Sequence, residues 1–182
     1  MSKLTVGSQF PDFKFNTGYK TGLTVNEEVK KAEKTIFWVL RYIGCTVCRY
    51  DVHLIAGRYQ EFLDKNAQVF VVMQSDRAHI QKDLADVQLP FDIICDPTME
   101  IYKTLAIDPA GSMEELLGDS RARLQEKGAA ARACGFAHGD YEGDEQQLPA
   151  MFIVEPDGTV AYAHYAKNIM DMPVVDEVLA LL

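Results

Sequence analysis

Thr35-Ile36-Phe37-Trp38-Val39-Leu40, then Arg41-Tyr42-Ile43-Gly44, then Cys45-Thr46-Val47-Cys48 is the stretch that decides the fold. Its first six residues form a continuous apolar, β-prone run, the pattern of a central strand buried on both faces. Past Cys48 the apolar residues change period. Cys48, Val52, Ile55, Tyr59 and Phe62 recur at spacings of four, three, four and three, which is one face of an amphipathic helix. Two cysteines three apart therefore stand where a buried strand hands over to a helix.

Outward from this corner the remaining elements follow. Phe10 to Phe15 alternates like a short strand, and Thr24 to Glu33 carries the capping and charge of a short helix. Gln68 to Met73 is the next apolar strand, and Ser75-Asp76 opens a helix that ends before Leu89-Pro90. Phe91 to Cys95 is a third strand, followed by a helix around Met99 to Leu105. Met151 to Val154 and Val160 to Tyr165 flank Pro156-Asp157-Gly158, a hairpin signal. A last helix runs from about Pro173 to Leu182 with Asp171 as its expected N-cap.

The order strand, helix, strand, then strand, strand, helix requires a parallel crossover followed by an antiparallel hairpin. The expected fold is α/β: a mixed central sheet with helices on both faces, in three layers. One domain spans residues 1–182, with an insertion at about 108–147 rich in Gly, Ala and charge. Ser112 to about Lys127 reads as helical, with Ser112 as N-cap and Glu115 three places on. Gly128, Gly135, Gly139 and Gly143 read as loop.

A formal charge of −9 argues against nucleic acid and an anionic membrane surface as partners, since both are held by clustered Lys and Arg. Met1 to Phe10 lacks the apolar run of a secretory signal, and no stretch approaches a membrane span. The expected setting is soluble and cytoplasmic. There, ordinary thiols stay reduced, so the four cysteines do not read as a disulfide framework.

Cys45 and Cys48 in a first helical turn share one face and can close a disulfide. Free backbone N–H groups and the positive end of the helix dipole favour a thiolate there. Cys45 is assigned as the attacking, more exposed thiol, and Cys48 as the resolving one, with Thr46 between them in support. Arg41, at the end of a buried strand, is expected to face the pair; Arg49 is as readily a surface side chain. Zinc is not expected, because no second Cys pair or His pair stands at ligand spacing. No flavin or nucleotide is expected either, for want of a glycine-rich phosphate loop. Cys95 and Trp38 read as core, Cys134 as a passive thiol in the insertion, and His53 as off the site's face. The insertion reads equally as a lid on the dithiol, a partner surface or an idle excursion.

With these residues placed, the chain resembles the thioredoxin-fold superfamily, and within it the alkyl hydroperoxide reductase/thiol-specific antioxidant (peroxiredoxin-like) branch. Val6-Gly7-Ser8-Gln9-Phe10-Pro11-Asp12-Phe13 is similar to the branch's opening motif. Phe91 to Pro97 resembles its strand ending in an Asp turn, and Leu148-Pro149-Ala150-Met151-Phe152-Ile153-Val154-Glu155-Pro156-Asp157-Gly158 its cis-proline strand and hairpin. The resemblance implies a cis bond before Pro149, with Pro149 and Ala150 presenting backbone groups beside the dithiol. It departs at the centre. Typical members carry Pro-x-x-x-Thr-x-x-Cys; with Cys48 on the peroxidatic Cys, the Thr position holds Cys45 and no Pro is available. Thioredoxin's Cys-Gly-Pro-Cys becomes Cys-Thr-Val-Cys, and Val39 stands where thioredoxin keeps a buried acid.

The resemblance implies a thiol-disulfide oxidoreductase or thiol peroxidase of antioxidant type, acting on a peroxide or disulfide and regenerated by an external thiol reductant. A homodimer is compatible with it. The competing expectation is a redox sensor or partner-binding protein that does not turn over.

Overall fold

The computed structural model describes residues 2–182. Alternation along β3 (Lys34–Val39) sorts the interior into two layers. Ile36 and Trp38 point to one face of the sheet, Phe37 and Val39 to the other, as strand geometry requires of successive side chains.

Around β3 lie β1 (Lys14–Thr17), β2 (Leu23–Thr24), β4 (Ala67–Met73), β5 (Asp92–Cys95), β6 (Ala150–Val154) and β7 (Val160–Tyr165), in the seven-stranded order β2-β1-β5-β4-β3-β6-β7. β3 pairs in parallel with β4, and β4 with β5, while β6 joins β3 antiparallel and carries β7 at the edge. This is the mixed α/β sheet of a thioredoxin-like fold. The strand expected over Phe10 to Phe15 starts later, at Lys14. Phe10 instead lies across the sheet, stacked on Phe37 at 4.7 Å between ring centroids. Burying that ring against the sheet face outweighs extending β1 toward the N-terminus.

The first core layer packs the sheet against α2 (Thr46–Gly57), α3 (Tyr59–Asp64), α4 (Arg77–Asp83) and α8 (Val175–Ala180). On the opposite side lie α1 (Val25–Glu28) and α5 (Glu100–Thr104). The single helix expected from Cys48 to Phe62 breaks at Arg58, whose backbone leaves the helical region (φ −119°, ψ 15°) just after Gly57. Asp171 does not cap α8. Its carboxylate accepts from the Lys167 N–H at 2.8 Å, and the α8 entrance is secured by Glu177 accepting from the Val174 N–H at 2.9 Å.

Within 108–147 lie α6 (Met113–Leu117), capped by Ser112 as expected, and α7 (Arg121–Ala133). Gly128, read as loop, is instead a buried position inside α7. The helix lays Gly128 and Ala131 inward and packs on α2. Small residues that permit close approach of two helices were mistaken for loop punctuation. Among the described residues, no helix is long and apolar enough to cross a membrane.

One chain of bonds positions the strand end that carries the site. The buried Asp96 carboxylate accepts from the N–H groups of Glu100, Ile101 and Tyr102 at 3.1, 2.8 and 3.3 Å, closing the open end of α5. That fixes Tyr102, whose hydroxyl donates to the Leu40 carbonyl at 2.6 Å, one residue before Arg41. Tyr102→Phe should leave that carbonyl buried without its donor and lower stability by about 2 kcal/mol. Urea unfolding measures it; an unchanged midpoint and slope would mean another donor replaces Tyr102.

Candidate active site

The dithiol sits at the start of α2, where β3 ends. Cys45 is the N-cap, with extended backbone (φ −69°, ψ 117°), and its sulfur accepts from the Cys48 N–H at 3.3 Å. A sulfur in place of the usual capping oxygen meets the unpaired donors of a helix start. Arg41 turns back over the same atom, with Nη2 3.1 Å from the Cys45 Sγ. The expectation that Arg41 faces the pair is met.

Both sulfurs are sealed. Cys45 is 1% exposed and Cys48 4%, so Cys45 is not the more exposed thiol. The cover is residues 138–147, which lie across the corner as a strap. Arg41 Nη1 donates to the Glu145 carbonyl at 2.7 Å, and the Gly139 N–H to the Gly44 carbonyl at 2.8 Å. Tyr42, fully buried, meets His138 through its hydroxyl at 3.2 Å. Gln74 exchanges two bonds with the Asp144 backbone, at 3.1 and 2.5 Å, and Ser75 donates to Glu142 at 2.6 Å. The approach is so close that a Cβ on Gly44 would lie 2.2 Å from the Asp140 carbonyl oxygen.

Charge in this sealed pair is divided unevenly. Burial pushes the Cys48 thiol up, but the adjacent Cys45 sulfur, the Arg41 charge and the Arg41 backbone outweigh it and bring Cys48 down to about 6. Cys45 goes the other way. Burial raises it, as do its bond to Cys48 and the charge there, beyond what Arg41 and the Cys48 N–H return. The pair thus gives up one proton readily and holds the second tightly. Burial alone would lower Arg41, yet the two sulfurs beside it hold its guanidinium above the ordinary value.

The other sites singled out in the sequence scatter. Pro149 and Ala150 are buried, and Ala150 pairs with Val39 at the strand end leading to the dithiol. The expected cis bond is absent: no cis peptide occurs among the described residues. The chain enters β6 instead through a turn closed by the Gln147 N–H on the Asp144 carbonyl at 3.2 Å, and the Gln147 side chain then donates to the Ile107 and Leu148 carbonyls. Thr46 is half-buried in the first turn of α2. Trp38 is core, while Cys95 is half-buried and pushed by burial to about 12. Cys134 is exposed at the end of α7, and His53 is exposed on α2, edge-on to Phe136. Arg49 is half-buried with its guanidinium 5.2 Å from the Phe136 ring centroid, so it packs rather than reaching the sulfurs.

Sequence reasoning missed Tyr42, Gly44 and Glu145. The strap contacts had no readable signal, because they join residues 67 to 104 positions apart. Gly44→Ala should force the strap off the Asp140 carbonyl and raise the alkylation rate of Cys45 and Cys48 severalfold in the folded protein. Iodoacetamide labelling read by mass spectrometry checks it; an unchanged rate would mean the strap yields without uncovering the sulfurs.

The AhpC/TSA family model matches residues 6–163. Peroxiredoxin-like 2C of Bos taurus is 24% identical over 163 residues, covering 85% of this chain and 70% of its own. The Homo sapiens peroxiredoxin-like 2C is 24% identical over 163 residues, covering 84% and 70%. Among solved structures, a mutant peroxiredoxin 6 of Arenicola marina superposes with a TM-score of 0.72 at 14% identity, over 97% of this chain and 70% of that one. Peroxidoxin BcpB from Mycobacterium tuberculosis gives 0.69 at 11% identity, over 97% and 94%. At such identities the structural likeness carries the fold alone, whereas the family match spans the strands, the dithiol and the strap together. The chain belongs to the AhpC/TSA family, and its function is thiol-based redox chemistry.

Proposed function

We propose that this chain is a thiol peroxidase that reduces a small hydroperoxide with Cys48 as the attacking thiolate and Cys45 as the resolving thiol. The single observation that carries the reading is the buried dithiol at a helix start with the Arg41 guanidinium 3.1 Å from its first sulfur, a setting that favours one thiolate in the pair; the register of the resembled branch lays Cys48 on the attacking cysteine. The thiolate is the nucleophile, and the downward direction of the Cys48 thiol supports Cys48 in that part. This reverses the roles expected from helix position alone.

The chemistry balances within the pair. The Cys48 thiolate attacks one peroxide oxygen and the O–O bond breaks, leaving Cys48 as a sulfenic acid and the other oxygen as alkoxide. The neighbouring Cys45 thiol protonates that alkoxide, releasing an alcohol (or water, from hydrogen peroxide). Cys45, now a thiolate beside Arg41, attacks the Cys48 sulfenic sulfur and expels hydroxide, closing the disulfide. Two equivalents of an external thiol reduce it again. Arg41 Nε is buried with no acceptor among the described residues, which leaves one N–H of a buried guanidinium free for a peroxide oxygen. The closed strap favours a small peroxide over a disulfide on another protein, and a reducing compartment such as the cytoplasm would supply the thiol donor.

The strap also supports a second reading, the redox sensor: Arg41 bonds both Cys45 and the Glu145 carbonyl, so forming the disulfide changes what holds the cover. Sustained peroxide consumption with a dithiol donor supports the enzyme; one equivalent consumed without recycling supports the sensor.

Stopped-flow reaction with hydrogen peroxide tests the roles. Cys48→Ser should abolish the first step, while Cys45→Ser should retain a sulfenic acid that dimedone traps and fail to form the disulfide. A Cys48→Ser protein that still reacts at the wild-type rate would refute the assignment. The first-step rate should rise as pH increases through about 6, where Cys48 ionises, and level off above. A rise only above pH 8 would contradict it.

A further inference from the structure

One buried ion pair near the dithiol plays no part in the steps above. Asp51 lies three residues after Cys48 on α2, a spacing that makes side chains neighbours on one helix face, about 5–6 Å apart at Cβ. Its carboxylate meets Lys127 of α7 at 2.6 Å, with the two side chains only 20% and 19% exposed. A charge pair this enclosed is costly to build and of little use to stability. It forms one wall of a groove of about 880 Å³ between α2, α7, β7 and α8.

We propose that Asp51, kept ionised by Lys127, is a positioning residue that opposes Arg41 and keeps Cys48 a strong nucleophile. The inference rests on Cys48 being the attacking thiolate. Arg41 pulls Cys48 toward easy ionisation, but a thiolate whose proton affinity falls too far is ionised and sluggish, and the best attacking thiol titrates near ambient pH. A fixed negative charge one turn along the helix restores proton affinity to the sulfur. Asp51 acts on Cys48 in that direction, while burial raises Asp51 itself and Lys127 draws it back toward ionisation. Lys127 thus favours the ionised carboxylate against the burial that opposes it.

Around Asp51 stand Tyr50 on its own helix, Arg123 and Glu126 on α7, His164 on β7, and Asp171 and Glu177 beyond. Arg123 and Glu126 oppose one another in sign, and His164 is bonded to the Asp171 carbonyl at 2.6 Å. Facing Cys48 from the other elements are Cys45, Arg41 and Tyr102, whose hydroxyl burial holds protonated. Asp51 is a carboxylate that acts on Cys48 in this direction. The pairing also assigns work to α7: its docking on α2 brings Lys127 to Asp51, so undocking would reach the dithiol through this charge.

The test is the pH profile of the first reaction with hydrogen peroxide. In Asp51→Asn the acid limb should move about one pH unit lower, and the plateau should fall roughly threefold as the sulfur loses proton affinity. Adding Lys127→Gln to Asp51→Asn should return the limb partway toward wild type, because it removes the remaining positive charge. The double variant carries no unpaired buried charge, so it reports even if Asp51→Asn fails to fold. Asp51→Glu should restore the wild-type profile. An acid limb that stays in place in both the single and the double variant, with Cys48 still essential, would overturn the proposal. A Cys48→Ser protein with undiminished reactivity would instead overturn the role of Cys48 on which it stands.

Discussion

One proton shared between two buried sulfurs beneath a guanidinium is the constraint on which the rest of the structure depends. Two thiolates side by side in a sealed site would repel each other, so the pair settles on a single negative charge. The protein must then hold a cation within reach without letting water in. Arg41 does this from the end of a buried strand, where Tyr102 binds the preceding carbonyl and the strap takes the guanidinium's outer nitrogen. Strand, capping helix and cover meet at one side chain.

This arrangement gives physical content to the departure at the centre of the family motif. Where typical members of the resembled branch carry a threonine, the chain has Cys45. A thiol there has a proton to offer its neighbour, as a hydroxyl would. Unlike a hydroxyl, it can go on to form a covalent bond with the oxidised partner. The cost is stronger coupling between the two groups, because each sulfur's protonation now depends on the other's. A counter-charge such as Asp51 is useful in that setting, since Arg41 acts on both sulfurs at once.

Much of the fold was legible because it rests on local patterns. The apolar run Thr35 to Leu40, the switch to helical period after Cys48 and the Pro-Asp-Gly hairpin each determine an element on their own, and their order leaves few topologies. The dithiol was legible for the same reason. What escaped reading depends on distant contacts. The strap's hold on Arg41, Gly44 and Gln74 joins parts of the chain that no periodicity links. Gly128 looked like a loop residue and proved to be a close-packing position, because a glycine signals either until its neighbours are known. The cis bond before Pro149 was inferred from a resemblance, and the turn at Asp144–Gln147 shapes the entry to β6 without it. Position at a helix start points to Cys45 as the thiolate; the Arg41 guanidinium and the second buried sulfur, brought there by contacts the sequence does not reveal, govern how the pair shares its charge.

The most direct measurement is a carbon-13 NMR titration of the two cysteine Cβ signals in the reduced, folded protein. Cys48 should show an inflection near pH 6, with Cys45 remaining protonated well past its ordinary range. Both signals titrating together above pH 8, or Cys45 ionising first, would contradict the shared-proton site.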